Sequence, residues 1–427
     1  MSPPQPELPR TAYDDSMLCR KFGPEVANYF SATPLNRASF LRSSQAFLSA
    51  AVTSPKARFS LVDDLAPLAK DPSRLTWVGY KDIKHVIGEN PFAKAEAEVI
   101  AEYDSSIHQP PLVLFLGLDE SKPQDFAHKE YKGTPYFAVD ITPRGEDASA
   151  EAKKSLIQKF KTDGHIFLPG RAAMTLNAQH AAIFAQARSY IDWNTRSPFC
   201  AGCGQPTISV HAGAKRVCPP TDKALAKTED PSTLQVEIDG AFPPRSTYPA
   251  RKPCVTRHGV SNLCFPRTDP TVIMAVLSPD SRKVLLGRQA SWPKYFYSAL
   301  AGFLEPGESV EDAVRREVYE ESGVKVGRVV IQGTQPWPYP ASLMIGCVGQ
   351  AVDGGETINL RDEELEAAKW ISIEDLRKAL NTGTSNLDAA PGEQYKEGDM
   401  RLPPKTAIAH QLMKAVVDGW MGPVPNL

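Results

Sequence analysis

Residues 302–324 read Gly302-Phe-Leu-Glu-Pro-Gly-Glu-Ser-Val-Glu-Asp-Ala-Val-Arg-Arg-Glu-Val-Tyr-Glu-Glu-Ser-Gly-Val324, and the acids in this segment are not scattered. On a helical wheel, Glu317 and Glu321 fall on the stripe that carries Val314 and Val318. That stripe should face the protein, whereas the acids of a solvated helix face outward. Two inward carboxylates one turn apart repel each other unless a cation lies between them. The pattern therefore predicts a divalent metal at this helix.

The same stretch indicates where the helix begins and ends. Ser309 can cap its N-terminus with Asp312 three residues on, and Gly323 can close it in a left-handed conformation. Gly302 and Gly307 bracket the preceding loop, where the backbone must turn tightly or approach another group closely. Carboxylates suit Mg²⁺ or Mn²⁺, which bind diphosphate oxygens and lower the pKa of a bound water. The chemistry indicated is metal-assisted hydrolysis of a phosphoanhydride; the alternative is an acid-rich surface helix.

The spacing of the fixed residues resembles the complete Nudix box, which matches Gly302, Glu308, Arg316-Glu317-Val318, Glu320-Glu321 and Gly323-Val324. In Nudix hydrolases the residues that match Glu317, Glu320 and Glu321 belong to the metal site. The one that matches Glu321 is central to catalysis, and the arginine that matches Arg316 orients a glutamate. The resemblance implies a nucleoside diphosphate linked to a second moiety as substrate, and the box alone does not identify that moiety.

A proline-rich array follows the box: Thr334-Gln-Pro-Trp-Pro-Tyr-Pro-Ala-Ser342. Its alternating prolines exclude a helix or a central strand, so we predict a stiff extended loop that presents Trp337 and Tyr339. Aromatic faces stack on bases or on a nicotinamide ring, although the alternative is a rigid turn whose aromatics only pack. The array resembles the Gln-Pro-Trp-Pro-Phe-Pro-x-Ser signature of the NADH pyrophosphatase branch of the Nudix superfamily, with Tyr339 in place of Phe.

The resemblance to this branch carries further expectations. In the branch the array lies in the substrate site, which implies substrate contacts from Gln335, Pro336, Trp337, Pro338, Tyr339, Pro340, Ala341 and Ser342. Similar segments elsewhere imply substrate contacts from Phe265 and Ala409. They also imply a further metal ligand at Glu364, and a metal site completed by the Ala301 carbonyl. The reaction implied is hydrolysis of NADH, and also NAD⁺, at the diphosphate to AMP and the nicotinamide mononucleotide.

The seven cysteines and the absence of a signal peptide argue against a secreted disulfide framework. Cys200-Ala-Gly-Cys203, followed after fourteen residues by Cys218, has the spacing of a zinc ribbon. A redox-active or unmetallated Cys-x-x-Cys pair is the alternative. Thr221 stands where a ribbon usually has its fourth cysteine, and Cys254 comes only after thirty-five intervening residues.

The segment between the third and fourth cysteines, 219–253, holds seven prolines and is predicted to be a loop insertion. The NADH pyrophosphatases carry a structural four-cysteine zinc at this place, so the resemblance assigns Cys254 as the fourth ligand. Cys264 and His258 stay open as alternatives. A site of four thiolates leaves no open position, so this zinc would be structural.

At 427 residues the chain exceeds one ordinary core, and its net charge of −2 is spread over mixed acids and bases. No basic block indicates a nucleic-acid platform, and no apolar run approaches membrane-spanning length. The sequence predicts an α/β (α+β) chain in five parts: a disordered tail (1–27), a Nudix-like N-terminal domain (28–195), the zinc ribbon (196–264), a catalytic Nudix domain (265–420) and a C-terminal tail (421–427).

Local patterns predict the main elements of both halves. In the first half they are strands at 111–118 and 136–141 and helices at 148–161 and 171–193. In the second half they are strands at 272–277, 284–286, 326–331 and 342–352, a helix capped by Ser372, a third helix from near Pro404 and a loop at 381–401. The alternation of strands and helices in the second half suits a mixed sheet between helices. The resemblance of the first half to the NADH pyrophosphatases implies that it has lost its box and helps to build a homodimer.

The sequence allows more than one cellular location and more than one function. The ending Pro425-Asn-Leu427 resembles atypical peroxisomal signals, and the cytoplasm is the alternative. The principal function predicted is that of an NADH pyrophosphatase. A second hypothesis is removal of 5′ NAD caps from RNA by the same bond cleavage, against which the lack of a basic groove weighs. A third is a non-catalytic ribbon that binds nucleic acid or protein, which the intact box contradicts.

Overall fold

The computed structural model of the chain describes residues 6–9, 27–107, 111–146, 148–227, 248–259, 261–360, 364–385, 387, 390–391 and 393–419. Two compact units divide the chain. The ribbon unit consists of Thr33–Leu176 and Ile183–Arg267, and the box unit of Met1–Ala32, Asn177–Ala182 and Thr268–Leu427. Most of both predicted tails, and residues 228–247 of the predicted insertion, lie outside the described residues.

The ribbon unit is built on a mixed sheet. Its strands are β1 (Arg58–Asp63), β2 (Ala66–Asp71), β3 (Arg74–Leu75), β4 (Val113–Asp119), β5 (Ala127–His128), β6 (Tyr131–Lys132), β7 (Thr134–Asp140), β8 (Ile166–Phe167), β9 (Ile208–Val210) and β10 (Lys215–Val217). The main sheet has the order β3-β2-β1-β7-β4, with β8 on β2; β9 pairs with β10, and β5 with β6. The predicted strands at 111–118 and 136–141 are confirmed as β4 and β7.

The helices of this part of the chain are α1 (Gln45–Val52), α2 (Tyr80–Ile87), α3 (Glu96–Ala101), α4 (Ala148–Thr162) and α5 (Ala178–Arg196), whose first residues, 178–182, belong to the box unit. Helices α1, α2 and α4 share one core cluster with the sheet, Ile183, Ala187 and Ile191 of α5 share another, and α3 packs near β9. The prediction of one helix over 171–193 is wrong at its start, because Gly170–Thr175 forms a separate 3₁₀ turn. The Asn177 side chain accepts a hydrogen bond from the backbone N–H of His180 at 3.0 Å, so a new helix begins after it. No helix in the described part of the chain combines the length and apolar character that a membrane crossing requires.

The box unit contains a second mixed sheet. Its strands are β11 (Asp269–Leu277), β12 (Lys283–Arg288), β13 (Leu300–Phe303), β14 (Val326–Trp337), β15 (Ser342–Ala351) and β16 (Ala367–Ser372); its helices are α6 (Val310–Ser322), α7 (Ile373–Thr382) and α8 (Ile408–Val417). The strand order is β14-β15-β11-β12-β16, with β13 on β11. Strands β11 and β15 are parallel, and the other pairs are antiparallel. The third helix begins at Ile408 rather than near Pro404.

Alternation along β11 buries both faces of this sheet, as the period of a strand requires. One face carries Val272, Met274 and Val276, which belong to one core cluster with Val314 and Val318 of α6. The intervening residues of β11 pack in a second cluster with α7 and α8. The predicted arrangement of a mixed sheet between helices is therefore confirmed.

The proline array differs from its prediction. Residues 334–337 are not a loop but the end of β14, and Pro336 pairs with Leu343 of β15 in an antiparallel hairpin. In the described sheet β14 lies at the edge, where a proline without an N–H removes no ladder bond. The array is therefore stiff because it is part of a sheet.

Both ends of α6 follow their predicted signals. The Ser309 side chain accepts a hydrogen bond from the Asp312 N–H at 3.1 Å, and Gly323 adopts a left-handed φ of 73°. A Cβ on Gly323 would lie 3.0 Å from the Cβ and the backbone oxygen of Asn359. Gly323 thus meets two demands, a left-handed turn and a close backbone approach.

Replacement of this glycine should separate the two demands. Gly354 has nearly the same φ of 72°, but open space around its Cα. We expect Gly354→Ala to lower the free energy of unfolding by about 1 kcal/mol, from backbone strain alone. We expect Gly323→Ala to cost about 2–3 kcal/mol, because Asn359 must also move. Urea unfolding of both variants measures the difference, and equal costs would contradict a role for the close approach.

Candidate active site and metal centres

Helix α6 turns its acids toward the protein as its wheel predicts. Glu321 is only 5% exposed and Val318 is fully buried. The Glu317 side chain is 14% exposed, whereas that of Glu320 is 51% exposed. Of the three box carboxylates on this helix, two therefore lie on its buried side, and the third lies at the margin of that side.

Arg316 is the centre of the carboxylate group. Its guanidinium forms a bidentate pair with the Glu308 carboxylate: Nε donates to Oε1 at 2.6 Å, and Nη2 donates to Oε2 at 2.8 Å. Its Nη1 donates to Glu317 at 2.9 Å and to Glu320 at 3.0 Å. A further bond from Nη2 reaches the Phe303 carbonyl at 2.8 Å. One guanidinium thus links the end of β13, the loop and the helix.

The charges of this group affect one another. The hydrogen bonds from Arg316 and from the backbone N–H of Glu305 lower the pKa of Glu308 to about 2. Burial raises the pKa of Glu317; Arg316 opposes that shift, and the carboxylates of Glu320 and Glu364 add to it. Glu364, more than forty positions along the chain from α6, is therefore close enough to act on the helix.

Gly302 forms a cradle for one of these carboxylates. A Cβ at this position would lie 2.0 Å from Cδ of Glu317 and 2.2 Å from both its oxygens. The predicted close approach at Gly302 is confirmed, and the group approached is the Glu317 carboxylate. Ala301 lies next to this cradle on β13, paired with Ile273 and exposed, so its backbone is placed beside the carboxylates.

The segment that carries Glu364 is held against β12. Gly287 leaves room for the Leu365 side chain, since an added Cβ would lie 2.9 Å from it. Arg288 pairs with Glu366 at 2.7 Å. Among the described residues, no three carboxylates bring their oxygens within 4.8 Å of one another, so the acids are gathered around Arg316 rather than closed into a tight shell.

Gln335 departs from its predicted role. Its side chain is fully buried, and its amide nitrogen donates to the carbonyls of Tyr29 at 3.0 Å and Thr406 at 2.8 Å. Its amide oxygen accepts from the Ile408 N–H at 2.8 Å. These bonds use the amide internally, so the predicted substrate contact by this side chain is wrong in this structure. Gln335 instead joins β14, the start of α8 and an N-terminal segment.

That N-terminal segment supplies an aromatic residue that sequence reasoning missed. The rings of Trp337 and Tyr339 lie 5.4 Å apart, and Phe30 contacts both edge-on at 6.2 and 6.1 Å. The Asn28 side chain also donates to the Thr334 carbonyl at 2.9 Å. Trp337 and Tyr339 are half-buried, so each ring is packed in part against neighbouring residues and is in part exposed to solvent.

The other residues predicted to contact the substrate differ in how far they are exposed to solvent. Ala409 is 3% exposed and packs in the core beneath α8, so its predicted contact is not available through the methyl group. Pro340 is exposed, Pro336 and Ala341 are half-buried, and Pro338 and Ser342 are buried. Phe265 belongs to the ribbon unit, where the Lys215 ammonium lies 5.5 Å from its ring.

Four cysteines form the second centre. The Sγ atoms of Cys200, Cys203, Cys218 and Cys254 all lie within 4.8 Å of one another. The separations between Cys200 and Cys254 and between Cys203 and Cys218 are 3.6 Å. Tetrahedral zinc with Zn–S bonds of about 2.3 Å holds its sulfurs roughly 3.8 Å apart, so the four thiols fit it. Cys264 and His258 stand outside the group.

Closure of the insertion explains how Cys254 reaches this group. The Arg251 N–H donates to the Pro220 carbonyl at 2.8 Å, and the Asp222 N–H donates to the Pro249 carbonyl at 3.2 Å. The buried side chains of Arg251 and Asp222 also approach to 3.8 Å. The two ends of the insertion are therefore held together, and Cys254 follows directly.

Two residues that follow Cys254 lie within hydrogen-bonding distance of the cysteine sulfurs. The Thr256 hydroxyl lies 3.1 Å from Sγ of Cys254 and 3.4 Å from Sγ of Cys200. Arg257 Nη2 lies 3.3 Å from Sγ of Cys218. Such donors stabilise thiolates and fix their orientation. A polar Thr-Arg pair next to a candidate ligand is the only sequence signal for them.

The cradle at Gly302 gives the first test of this site. In Gly302→Ala the added methyl displaces the Glu317 carboxylate, which is the mobile end of a side chain and can swing away. We expect hydrolytic activity to fall at least about tenfold, while the thermal midpoint shifts by less than about 4 °C. Unchanged turnover in a correctly folded variant would show that the Glu317 position is not needed.

The fourth zinc ligand gives the second test. We expect Cys254→Ser to lose the bound zinc, because the site then keeps three thiolates. Cys264→Ser is the matched control, since this buried thiol lies outside the group and should leave zinc content unchanged. Metal analysis of both purified variants decides the assignment. Zinc retained in the first and lost in the second would overturn it.

Comparison with known families agrees with this organisation. The "NADH pyrophosphatase-like rudimentary NUDIX domain" matches residues 56–193 and the "NADH pyrophosphatase zinc ribbon domain" matches 195–224. The "NUDIX domain" matches 267–390. The ribbon match ends before Cys254, so the fourth cysteine rests on the geometry above.

Curated relatives cover most of the chain. The "NAD-capped RNA hydrolase" of Schizosaccharomyces pombe is 36% identical over 402 residues, which are 92% of this chain and 94% of the relative. The human "NAD-capped RNA hydrolase NUDT12" is 35% identical over 94% of this chain and 75% of its own length. The human "NAD(P)H pyrophosphatase NUDT13, mitochondrial" is 33% identical over 66% and 68%. The chain therefore belongs to the NADH pyrophosphatase branch of the Nudix hydrolases.

Proposed function

We propose that this enzyme hydrolyses the diphosphate of NADH, and of NAD⁺, to AMP and the corresponding nicotinamide mononucleotide. The observation that carries the proposal is the set of box carboxylates: Arg316 binds Glu308, Glu317 and Glu320, and Glu321 is buried on the same helix. The aromatic pair Trp337 and Tyr339 in the same unit supports it, as do relatives named for hydrolysis of NAD(P)H and NAD caps.

The carboxylates suit hard divalent cations. Glu308, Glu317 and Glu320 share a single guanidinium, so negative charge is in excess before Glu321 and Glu364 are counted. When bound, Mg²⁺ or Mn²⁺ would neutralise the diphosphate and lower the pKa of the attacking water. We propose as its ligands the carboxylates of Glu317, Glu320, Glu321 and Glu364 and the carbonyl of Ala301.

The protein's own residues have distinct roles in the proposed reaction. Arg316 fixes the direction of Glu317 and Glu320, and Gly302 sets how far Glu317 reaches. Glu321, buried against Val318, is the carboxylate that we propose to be most closely coupled to the attacking water. Trp337 and Tyr339 offer ring faces for the nicotinamide or the adenine, and Phe30 keeps them in place.

A second candidate function is removal of a 5′ NAD cap from RNA. The bond cleaved is the same, and the products are nicotinamide mononucleotide and RNA with a 5′-monophosphate. The names of the Schizosaccharomyces pombe and human relatives favour this candidate. It requires that the protein also hold the RNA that follows the cap.

Other expectations stay proposals. We propose that zinc in the cysteine group is structural, because four thiolates leave no position for substrate. The homodimer and the peroxisomal location stay predictions. The C-terminal tripeptide on which the location depends lies outside the described residues.

Replacement of the buried glutamate tests the proposed reaction. We expect wild-type enzyme with Mg²⁺ or Mn²⁺ to release AMP from NADH, and Glu321→Gln to lower kcat by about 10²–10⁴-fold, since the amide cannot act as a base or a charged ligand. Glu311→Gln on the same helix is the matched control and should stay within about twofold. Chromatography of the products measures both. Absence of AMP with wild-type enzyme, or full activity of Glu321→Gln, would overturn the proposal.

A further inference from the structure

A cleft of about 350 Å³ lies within the ribbon unit, beside the cysteine group. We call it the ribbon cleft and define it by six lining residues: Trp193, Arg196, Phe199, Arg216, Phe265 and Arg267. Its size falls in the range of small-ligand sites. Among the six, only Phe265 is a substrate contact expected from the sequence, and the dinucleotide reaction proposed above assigns no role to the other five.

Apart from its cysteines, the ionisable side chains that line the ribbon cleft are all arginines. Three arginines line it, and no carboxylate residue stands among the lining residues. Arg216 is held rigidly by bonds to Thr207 and Asn194, and Arg196 pairs with Asp192 at 2.7 Å. These two cations are therefore oriented by the protein.

Arg267 differs from the other two arginines. It is exposed, and it makes no hydrogen bond or ion pair with any residue that the structure describes. A guanidinium with all its donors free at the edge of a cleft is suited to bind a phosphate with two parallel bonds.

Aromatic side chains lie beside the arginines in the ribbon cleft. Phe199 is 61% exposed, which is unusual for so large an apolar side chain, and Trp193 and Phe265 are half-buried. The Lys215 ammonium lies 5.5 Å from the Phe265 ring and adds a further cation. Ring faces together with arginines are the usual surface for single-stranded nucleic acid, because bases stack while the cations bind phosphates.

We propose that the ribbon cleft binds the RNA of a 5′ NAD-capped transcript, with a base stacked on Phe199 and a phosphate on Arg267. The inference rests on the second function proposed above and adds where the RNA is held. RNA is favoured over a second copy of this chain because RNA carries a negative charge at every phosphate, whereas the chain's net charge of −2 is spread over mixed acids and bases. The arginines are scattered along the sequence, which explains why no basic block predicts such a surface.

Binding in an inactive background tests this inference directly. The parent is Glu321→Gln, and the probe is a fluorescent 5′ NAD-capped RNA of about ten nucleotides, followed by anisotropy over a range of salt. We expect Arg267→Glu to weaken binding at least about tenfold and to reduce the salt slope by about one or more. We expect Phe199→Ala to weaken binding about fivefold or more without changing the slope, because stacking is uncharged.

Arg171→Glu is the matched control, since Arg171 is an exposed arginine of the same unit that does not line the cleft. It makes the same change in net charge and should bind the RNA within about twofold of the parent. In the active enzyme, Arg267→Glu should cleave NADH within about twofold of wild type while its kcat/KM for the capped RNA falls at least about tenfold.

Each contrary result has a definite meaning. If Arg267→Glu binds the RNA as tightly as its parent, the inference is overturned. It is also overturned if NADH and capped RNA cleavage fall together, because the cleft then serves the dinucleotide, or if Phe199→Ala converts a dimer to a monomer in sedimentation, because a second copy then covers it. Failure of wild-type enzyme to cleave NADH would instead count against the proposed reaction, since RNA binding is measured without cleavage.

Discussion

The fork of hydrogen bonds between Arg316 and its carboxylates is the interaction on which the site depends. Several glutamates crowded at one half-buried place would repel one another, and burial alone already raises the pKa of Glu317. The planar guanidinium binds Glu308 at two points and still reaches Glu317 and Glu320. A lysine, with one compact ammonium, has no such geometry. The site is therefore a cluster of carboxylates that one guanidinium neutralises only in part. The remaining negative charge suits a divalent cation.

The sheet of the box unit connects the aromatic array to the strand on which α6 packs. Strand β11 presents α6 on one face and pairs with β15, whose hairpin partner carries the aromatic array. Gln335 then joins that hairpin to α8 and to the segment at Tyr29 through three buried hydrogen bonds. A buried amide with all these partners fixes one arrangement, because any shift would leave a polar group unpaired.

Local signals predicted what lies within one element, and failed where contacts join distant segments. The wheel, Ser309 and Gly323 gave the face and both ends of α6, because cap and period are properties of a few neighbouring residues. The prolines of the array indicate a loop, because the sequence does not show that β14 lies at a sheet edge, where proline is tolerated. Nothing near Phe30 announces a partner some 300 residues on, and the arginines of the ribbon cleft are assembled only by folding.

The two candidate metal centres show how different constraints on side-chain spacing are met in one chain. The four thiols of the ribbon must be held close together. The long insertion between Cys218 and Cys254 opposes this, because closing a longer loop costs more conformational entropy. Chain closure, however, becomes only about 0.6 kcal/mol less favourable for each doubling of loop length. Pairing of Pro220 with Arg251 and of Asp222 with Pro249 is enough to hold the ends together. The proposed carboxylate centre differs, because it must leave room for a substrate. Arg316 keeps the carboxylates near one another without bringing them as close together as the four thiols.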